Sequence, residues 1–207
     1  DNRWSMFVGP TLRFTGERGA DFSDSMTGGI FGGVAYRVND RWSVGASFNV
    51  NYQSLALSNP SFDLGQTPVF GYGFTFGTLY RINDRWQLGA SWLTEQNMEE
   101  FDWNSQDGRF SMDLDQPSRL AAGLSFTPGN GWLIAADVTH IAFSDVQDEV
   151  RLETPGGATS LDFGWDDQVV YAIAVQKTVN DRLTLRADDR RLDLASRHRH
   201  IGHHIDA

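Results

Sequence analysis

Asp137, His140 and Ser144 have the residue types of a Ser-His-Asp triad and lie within one short stretch of chain. Side chains of a β-strand share a face at even spacing, so His140 and Ser144 lie on one face and Asp137 on the other. That geometry does not suit a triad. The glycines lie within strand-like segments, and no glycine-rich phosphate loop opens a helix. We therefore predict no catalytic residue and interpret His140 as an interfacial or rim residue.

The end of the chain contains four of the five histidines. One interpretation is a metal-binding tract, because the imidazole groups of His198, His200, His203 and His204 can bind a metal ion. The other is a disordered or out-of-frame end, which we favour because the strand pattern near 182–187 stops in mid-repeat. The absence of cysteine excludes a thiolate site and a disulfide scaffold. We predict no metal site and no cofactor, a structured part over 1–187, and an irregular His/Arg-rich tail over 188–207.

The charge of the chain excludes one class of partner. Its formal charge is −10 and its sequence pI is about 4.8. Neutralising phosphates requires clustered Lys and Arg, so we predict no nucleic-acid partner. No run of 18 apolar residues is present, which excludes a transmembrane helix.

Short turn-like segments recur along the chain. Two are nearly identical, Tyr36-Arg-Val-Asn-Asp-Arg-Trp42 and Tyr80-Arg-Ile-Asn-Asp-Arg-Trp86, and weaker copies surround Asn130 and Asn180. Asn, Asp and Gly at their centres tolerate the positive φ of a tight hairpin turn. One tight turn alternates with one longer connection, which predicts an antiparallel meander.

Residues between the turns alternate between apolar and polar. From Trp42 to Tyr52 the even positions are mostly large and apolar, whereas the odd positions are Ser, Gly and Asn. This pattern predicts strands with one apolar and one polar face, long enough for tilted transmembrane strands. We place nine strands near 3–15, 27–38, 41–57, 68–82, 85–98, 117–127, 131–146, 166–179 and 182–187.

Two environments suit such strands. In a soluble sheet the apolar face fills a core and the other face carries Lys and Glu, whereas in a membrane barrel the apolar face meets lipid. The polar face here is Gly, Ser, Asn, Thr and Gln with few charges, which suits a lumen. We predict an all-β, antiparallel up-and-down transmembrane β-barrel. Its interfacial girdle would consist of the aromatic residues that flank the tight turns, Tyr36, Trp42, Tyr80, Trp86, Phe126 and Trp132.

Acidic residues are concentrated in the long connections. By the usual polarity of such barrels these connections face the outside and the tight turns face the periplasm. Bacterial single-chain barrels close with an even number of strands, so nine strands and a start inside a turn favour a fragment of a larger barrel. An open sheet leaves two unpaired edges, and we expect that 1–207 alone does not form a closed, heat-resistant barrel.

The hairpin from Gly77 to Ser91 resembles those of the FadL/TodX (OMPP1) family of outer-membrane transporters for long-chain fatty acids and aromatic hydrocarbons. Two later stretches, Leu133 to Asp145 and Phe163 to Arg186, resemble the same family. Together these segments extend over about 27–186. Turns of this type occur in many outer-membrane barrels, so their order and spacing carry the resemblance.

The resemblance implies a 14-stranded barrel with an N-terminal hatch, of which the nine strands here would be the third to the eleventh. It implies passive uptake, without enzymatic chemistry, in the outer membrane of a Gram-negative bacterium. Substrate would be captured outside and would leave sideways into the membrane at a kinked strand. The implied partners are a hydrophobic small molecule, outer-membrane lipid and lipopolysaccharide, and the full-length form is expected to be monomeric.

Site candidates follow from the same resemblance. The family's capture groove lies between two extracellular loops, which map to about 54–68 and 98–117; ordinary loop packing is the alternative interpretation. Gly9-Pro10 interrupts the first strand, because Pro cannot donate to the ladder, and is either the lateral gap or an ordinary bend. The substrate-binding candidates are Leu55, Leu57, Phe62, Leu64, Phe101, Trp103 and Phe110.

The alternative function is a general diffusion porin or a structural outer-membrane β-barrel. A porin is expected to fold a long loop into the lumen and to line it with charge. The sequence does not separate fatty acid from aromatic hydrocarbon as substrate, since both need only apolar contact.

Overall fold

The structure is a computed structural model that describes residues 3–17, 22–59, 62–105, 108–162 and 165–194. It is built from β-strands with a short 3₁₀ turn at Phe143–Asp145. No helix within these ranges is long and apolar enough to cross a membrane. The strands are β1 (Trp4–Glu17), β2 (Phe22–Arg37), β3 (Trp42–Asn59), β4 (Phe62–Arg81), β5 (Trp86–Leu93), β6 (Asn97–Met98), β7 (Phe101–Ser105), β8 (Gly108–Met112), β9 (Arg119–Gly129), β10 (Trp132–Ile141), β11 (Glu149–Thr154), β12 (Gly157–Asp162), β13 (Gln168–Asn180) and β14 (Leu183–Leu194).

Nine strands form one antiparallel path in the order β1-β2-β3-β4-β5-β9-β10-β13-β14. Successive strands of this path are neighbours, so the sheet is an up-and-down meander. The predicted fold class is confirmed, and each of the nine predicted strands has a counterpart on this path. Among the described residues, β1 pairs only with β2 and β14 only with β13, so these two strands are the ends of the path.

The predicted strand over 85–98 is interrupted. β5 pairs with β4 as far as Leu93, and pairing resumes in β6, shifted by one residue. The ladder between β5 and β9 stops at the pair Leu93–Arg119 and continues only as an isolated bridge between Gln96 and Gln116. Pro117 lies inside this gap and has no N–H to donate. The wall of the sheet is therefore irregular at this level.

The repeated turns are stabilised by a side chain. In each Asn-Asp-Arg turn the Asn side-chain oxygen accepts two backbone N–H groups, which at Asn39 come from Arg41 and Trp42, each at 2.9 Å. Asn83 and Asn180 accept the equivalent pair. The expectation of positive φ holds only for the turn at 129–131, where Asn130 has φ 52°. Asn is used in the other turns as a hydrogen-bond acceptor.

The sheet has one strongly apolar and exposed face. Met6 and Val8 of β1 are 87% and 80% exposed. Large exposed residues continue on this face through β4, β5 and β13, as expected of a surface that meets lipid. Beside the tight turns, Trp4 packs on Tyr36 with ring centroids 4.5 Å apart, and the rings of the predicted girdle lie on the same face.

The predicted loop over about 54–68 is wrong, because β3 and β4 continue through most of it. Apolar residues occupy even positions as far as Tyr52 and odd positions from Leu55 onward, and the ladder shifts register between Leu55 and Leu57. Near the connection between β3 and β4, the outward-facing residues of β3 are no longer large and apolar. The inward-facing residues there, such as Leu55, pack instead against residues of the long connections. The reversed pattern resembles a strand end in the sequence.

The long connections contain a second sheet that the sequence analysis did not predict. Hairpins β7–β8 and β11–β12 pair through β8 and β11 in the order β12-β11-β8-β7, which we call the outer sheet. It packs against the end of β4. The predicted strand over 131–146 ends at Ile141, where the chain enters the 3₁₀ turn.

The last strand, β14, pairs with β13 as far as Leu194, past the boundary predicted at 187. His198, His200, His203 and His204 lie outside the described residues.

Candidate functional site

The polar face of the sheet encloses a cavity of about 680 Å³. Its walls come mainly from β2, β3 and β4, with further residues from β1, β5 and β9, and are mostly small or uncharged, among them Ser47, Asn49 and Thr75. Asn49 donates a hydrogen bond of 2.9 Å to the Thr75 hydroxyl. Of the residues that line the cavity, Arg119 alone carries a charged side chain. We call this face the lumen face and this space the lumen cavity.

Two phenylalanines give one wall of the lumen cavity an aromatic surface. Phe7 and Phe31 lie on adjacent strands with ring centroids 6.1 Å apart. Each ring lies over a glycine of the other strand, because a Cβ at Gly9 would be 2.7 Å from the Phe31 ring and one at Gly33 would be 2.6 Å from the Phe7 ring. Glycine at both positions is therefore required for the rings to lie flat against the wall.

The candidates for a lateral gap, Gly9 and Pro10, lie in this region. Gly9 pairs with Phe31 and Pro10 with Ile30, inside a ladder between β1 and β2 that has no register shift. On that side of β1 the wall is continuous, and a gap at these residues would have to lie at the other edge of the strand.

The substrate-binding candidates come together in one place, the buried apolar cluster between the ends of β3 and β4 and the outer sheet. Phe101 is 0% exposed, Leu64 1% and Trp103 3%. Phe101 and Trp103 stack with centroids 5.3 Å apart, and the Trp103 indole N–H donates to the Gly65 carbonyl at 2.8 Å. We call this the outer cluster: Leu55, Leu64, Val69, Met98, Phe101, Trp103, Phe110, Met112, Val150 and Leu152, with Leu57 packed against it. The side chain of Phe62 lies outside the described residues.

Amide side chains separate the outer cluster from the lumen cavity. Asn51 donates to the side-chain oxygen of Gln96 at 2.6 Å, and Gln116 donates to that of Gln53 at 2.7 Å. Gln53 and Gln96 are only 3% and 4% exposed. We call these four residues the amide clasp; sequence reasoning missed it because its two sides are far apart in the chain.

His140 and Ser144 meet an acidic residue, but not the one first considered. The Asp167 carboxylate lies 3.1 Å from His140 Nε2 and accepts the Ser144 hydroxyl at 2.7 Å and its backbone N–H at 3.0 Å. The Ser144 hydroxyl hydrogen bond is the main cause of a lowered Asp167 pKa. His140 and Ser144 bind the same carboxylate side by side, whereas a triad places the histidine between the serine and the acid, so the arrangement fixes the 3₁₀ turn at the rim and does not have the order of a catalytic triad.

Carboxyl groups in the connection after β5 have raised pKa values. Partial burial, and next the charge of Asp115, raise the pKa of Glu95 and of Asp113. Asp115 in turn accepts the backbone N–H of Met98 at 2.6 Å. Among the described residues, no three acidic or histidine side chains come together as metal ligands.

Comparison with known proteins gives a consistent family. Residues 13–188 match the sequence profile described as outer membrane protein transport protein (OMPP1/FadL/TodX). No curated protein matches the sequence.

Solved structures show the same fold at low sequence identity. The Ralstonia pickettii toluene transporter TbuX matches 93% of this chain with a TM-score of 0.81 and 16% identity. A Pseudomonas aeruginosa FadL homologue matches 92% of this chain with a TM-score of 0.77 and 15% identity. The Pseudomonas putida toluene transporter TodX matches 93% of this chain with a TM-score of 0.74 and 19% identity. The chain spans 67%, 57% and 64% of these three proteins.

The sequence profile covers most of the chain, and the meander, its lipid-type face and its lumen face agree with the matched barrels. The chain belongs to the OMPP1/FadL/TodX family of outer membrane transport proteins.

Proposed function

We propose that this chain is part of an outer-membrane channel for the passive uptake of long-chain fatty acids or other hydrophobic compounds. The observation that carries the proposal is the alignment of an apolar cluster and a mainly apolar cavity along the same two strands. Leu55 and Leu64 belong to the outer cluster, whereas the apolar part of the lumen cavity's lining includes Leu79 of β4 and the rings of Phe7 and Phe31 beside β3. A hydrophobic solute that entered at the outer end would meet apolar surface at both levels.

The outer cluster is the proposed point of capture. An aliphatic chain gains roughly 0.8 kcal/mol per buried CH₂, so a few side chains such as Phe101, Trp103 and Phe110 suffice to hold one. These side chains are now buried against one another, so a bound ligand would have to displace some of their mutual contacts. Gly9-Pro10 remains the proposed lateral exit, at the edge of β1 away from β2.

The lumen favours this function over the alternative of a diffusion porin. A porin is expected to carry charge along its constriction, and Arg119 is the one charged residue that lines the cavity in the described part of the chain. A structural barrel would need no cavity. For the complete protein we further propose contact with outer-membrane lipid and lipopolysaccharide, a monomeric state and no enzymatic reaction.

Uptake of labelled oleate and of labelled toluene, by cells with and without the intact gene, tests the proposal. We expect faster uptake of at least one compound when the gene is present, and the preferred compound identifies the substrate class. Equal uptake of both compounds by the two strains, in a background without other transporters of this type, would reject it.

A further inference from the structure

We propose that the amide clasp is a gate: the pairs Asn51–Gln96 and Gln53–Gln116 must separate before a solute can pass from the outer cluster into the lumen cavity. This inference rests on the proposed function. It concerns the route through the protein, and it assigns to four uncharged residues a role in controlling passage.

The first support is the order of features along β3 and β4. Along β3, Ser47 and Asn49 line the lumen cavity, Asn51 and Gln53 belong to the clasp, and Leu55 belongs to the outer cluster. Consecutive inward residues are about 7 Å apart along a strand, so the clasp is a polar layer two residues deep between the two apolar spaces.

The opposing strand carries glycine beside the clasp, since Gly71 pairs with Asn51 and Gly73 with Asn49. On β4, Val69 belongs to the outer cluster and Thr75 lines the cavity, with Gly71 and Gly73 between them. A Cβ at Gly71 would be 2.3 Å from Met98 Sδ, and one at Gly73 would be 2.0 Å from Gln96 Nε2. The segment that carries Gln96 thus lies directly on bare backbone and reaches across β4 to Asn51 on β3.

The second support is that one side of the clasp is attached to an interrupted part of the wall. Gln96 and Gln116 face each other across the isolated bridge, with backbone hydrogen bonds of 3.0 and 3.1 Å. The regular ladders end at Leu93 and Arg119, and Pro117 cannot extend them. A segment without a continuous ladder can move with the loss of few backbone hydrogen bonds.

The third support is the chemistry of the bonds. Each clasp pair is a hydrogen bond between neutral amides, which contributes little net stability because water or another amide can replace the partner. The Gln96 side chain also donates a hydrogen bond of 2.7 Å to the Thr94 carbonyl. Such contacts suit a barrier that must both close and open.

A reversible lock tests the gate directly. The 207 residues contain no cysteine, so Asn51→Cys with Gln96→Cys introduces two specific thiols into this part of the protein. In the complete gene product, a short bifunctional methanethiosulfonate should join them, and initial uptake of the transported compound, oleate or toluene, should fall about tenfold or more. Dithiothreitol should restore it. The same reagent on Phe48→Cys with Phe74→Cys, a pair on the lipid face of the same two strands, should change uptake little.

A release variant should act in the opposite direction. Gly73→Ala places a methyl group where the end of the Gln96 side chain lies, and this flexible end can move away without displacing backbone. Gly77→Ala is the matched control, because the nearest atom to a Cβ there is 3.8 Å away. We expect Gly73→Ala to raise uptake severalfold and Gly77→Ala to leave it unchanged.

The outcomes separate the two proposals. If the cross-linked Asn51/Gln96 variant takes up the compound as fast as it does after treatment with dithiothreitol, the gate is overturned and the channel function is left intact. No uptake of either compound by the unmodified protein overturns the channel function and the gate with it. If the first cysteine pair does not reach the membrane in heat-modifiable form, Gln53→Cys with Gln116→Cys applies the same test to the other half of the clasp.

Discussion

Replacing Phe101 with alanine should detach the outer sheet from β3 and β4 without unfolding the strands of the barrel wall. The ring is completely buried and stacks on Trp103. Truncation of a buried Phe typically costs about 3–5 kcal/mol, because apolar contact is lost and a cavity remains. Since 1.4 kcal/mol is a factor of ten, the equilibrium constant for local opening should rise roughly 10²- to 10⁴-fold.

Trypsin added to whole cells measures this opening. Arg109 and Arg151 have exposed side chains, but their backbones belong to β8 and β11 of the outer sheet. Cleavage therefore requires local opening, and its rate follows the opening equilibrium when reclosing is fast. We expect cleavage after these residues to accelerate strongly in Phe101→Ala, while the heat-modifiable gel mobility of the barrel is retained.

The matched control is Phe74→Ala, which makes the same change on the lipid side, where Phe74 is exposed. It should leave cleavage at the outer sheet unchanged. Cleavage of Phe101→Ala at the wild-type rate would show that the outer cluster does not hold the sheet in place. The assignment of the lipid face would then stand, but the account of the outer sheet would not.

Three further changes test other parts of the structure. Ile173→Arg should lower the free energy of unfolding by about 2–4 kcal/mol in urea-titrated bilayers, whereas Ala172→Arg on the lumen side should cost much less. Gly33→Ala should cost about 1–3 kcal/mol in the same assay, because its Cβ would lie 2.5 Å from an opposing carbonyl oxygen. Asp167 has a pKa lowered from its ordinary value of 3.8, so its hydrogen bonds to Ser144 should be fully present above pH 3.8. They should be lost only as the pH falls through the lowered pKa. Hydrogen exchange of the Ser144 amide measures this loss.

The nine wall strands were predictable because lipid imposes a strict rule on sequence. Each outward residue must be apolar and each inward residue meets a lumen, so the alternation from Trp42 to Tyr52 specifies strand, face and length together. The repeated Asn-Asp-Arg turns located the ends of hairpins for the same reason, since a tight turn accepts few residue types. Local sequence carries both signals, and no distant contact is needed to interpret them.

The outer sheet and the clasp were not predictable in that way. Phe101, Phe110 and Val150 pack on residues far away in the chain, and the segments that carry them are too short for a clear period. Gln96 appears in the sequence as one polar residue among several, and its role depends on Gly73 and Asn51 across two strands. The apolar candidates were found from the resemblance and their hydrophobicity, with loop packing as the alternative interpretation, but the strands of the outer sheet that carry Phe101, Trp103 and Phe110 were not predicted.

The end of β14 places charged side chains on the face that carries apolar residues elsewhere in the wall. Asp189 pairs with Ile173 and Arg191 with Tyr171 in the ladder, and partners in an antiparallel pair point to the same face. Ile173 and Tyr171 are exposed on the lipid side, so the two charges occupy that face as well, 3.2 Å apart. An Arg facing the centre of a bilayer costs about 2–4 kcal/mol. The tail over 188–207 as a separate, possibly out-of-frame segment therefore stays a prediction.

Reversal of the apolar face along one strand defines where the membrane ends. Tyr52 points outward and Leu55 inward on β3, and the ladder shifts register immediately beyond Leu55. On the side of the tight turns, lipid surrounds the outward-facing apolar side chains of β3. On the side of the long connections, the outer sheet covers the inward-facing apolar side chains. A hydrophobic solute would thus move between two apolar surroundings within one molecule, and the polar layer it must cross, at Asn51 and Gln53, lies at the level where the pattern reverses. Control of passage belongs at that level, because a neutral apolar molecule meets there buried amides that bond to one another across the space between the two apolar regions.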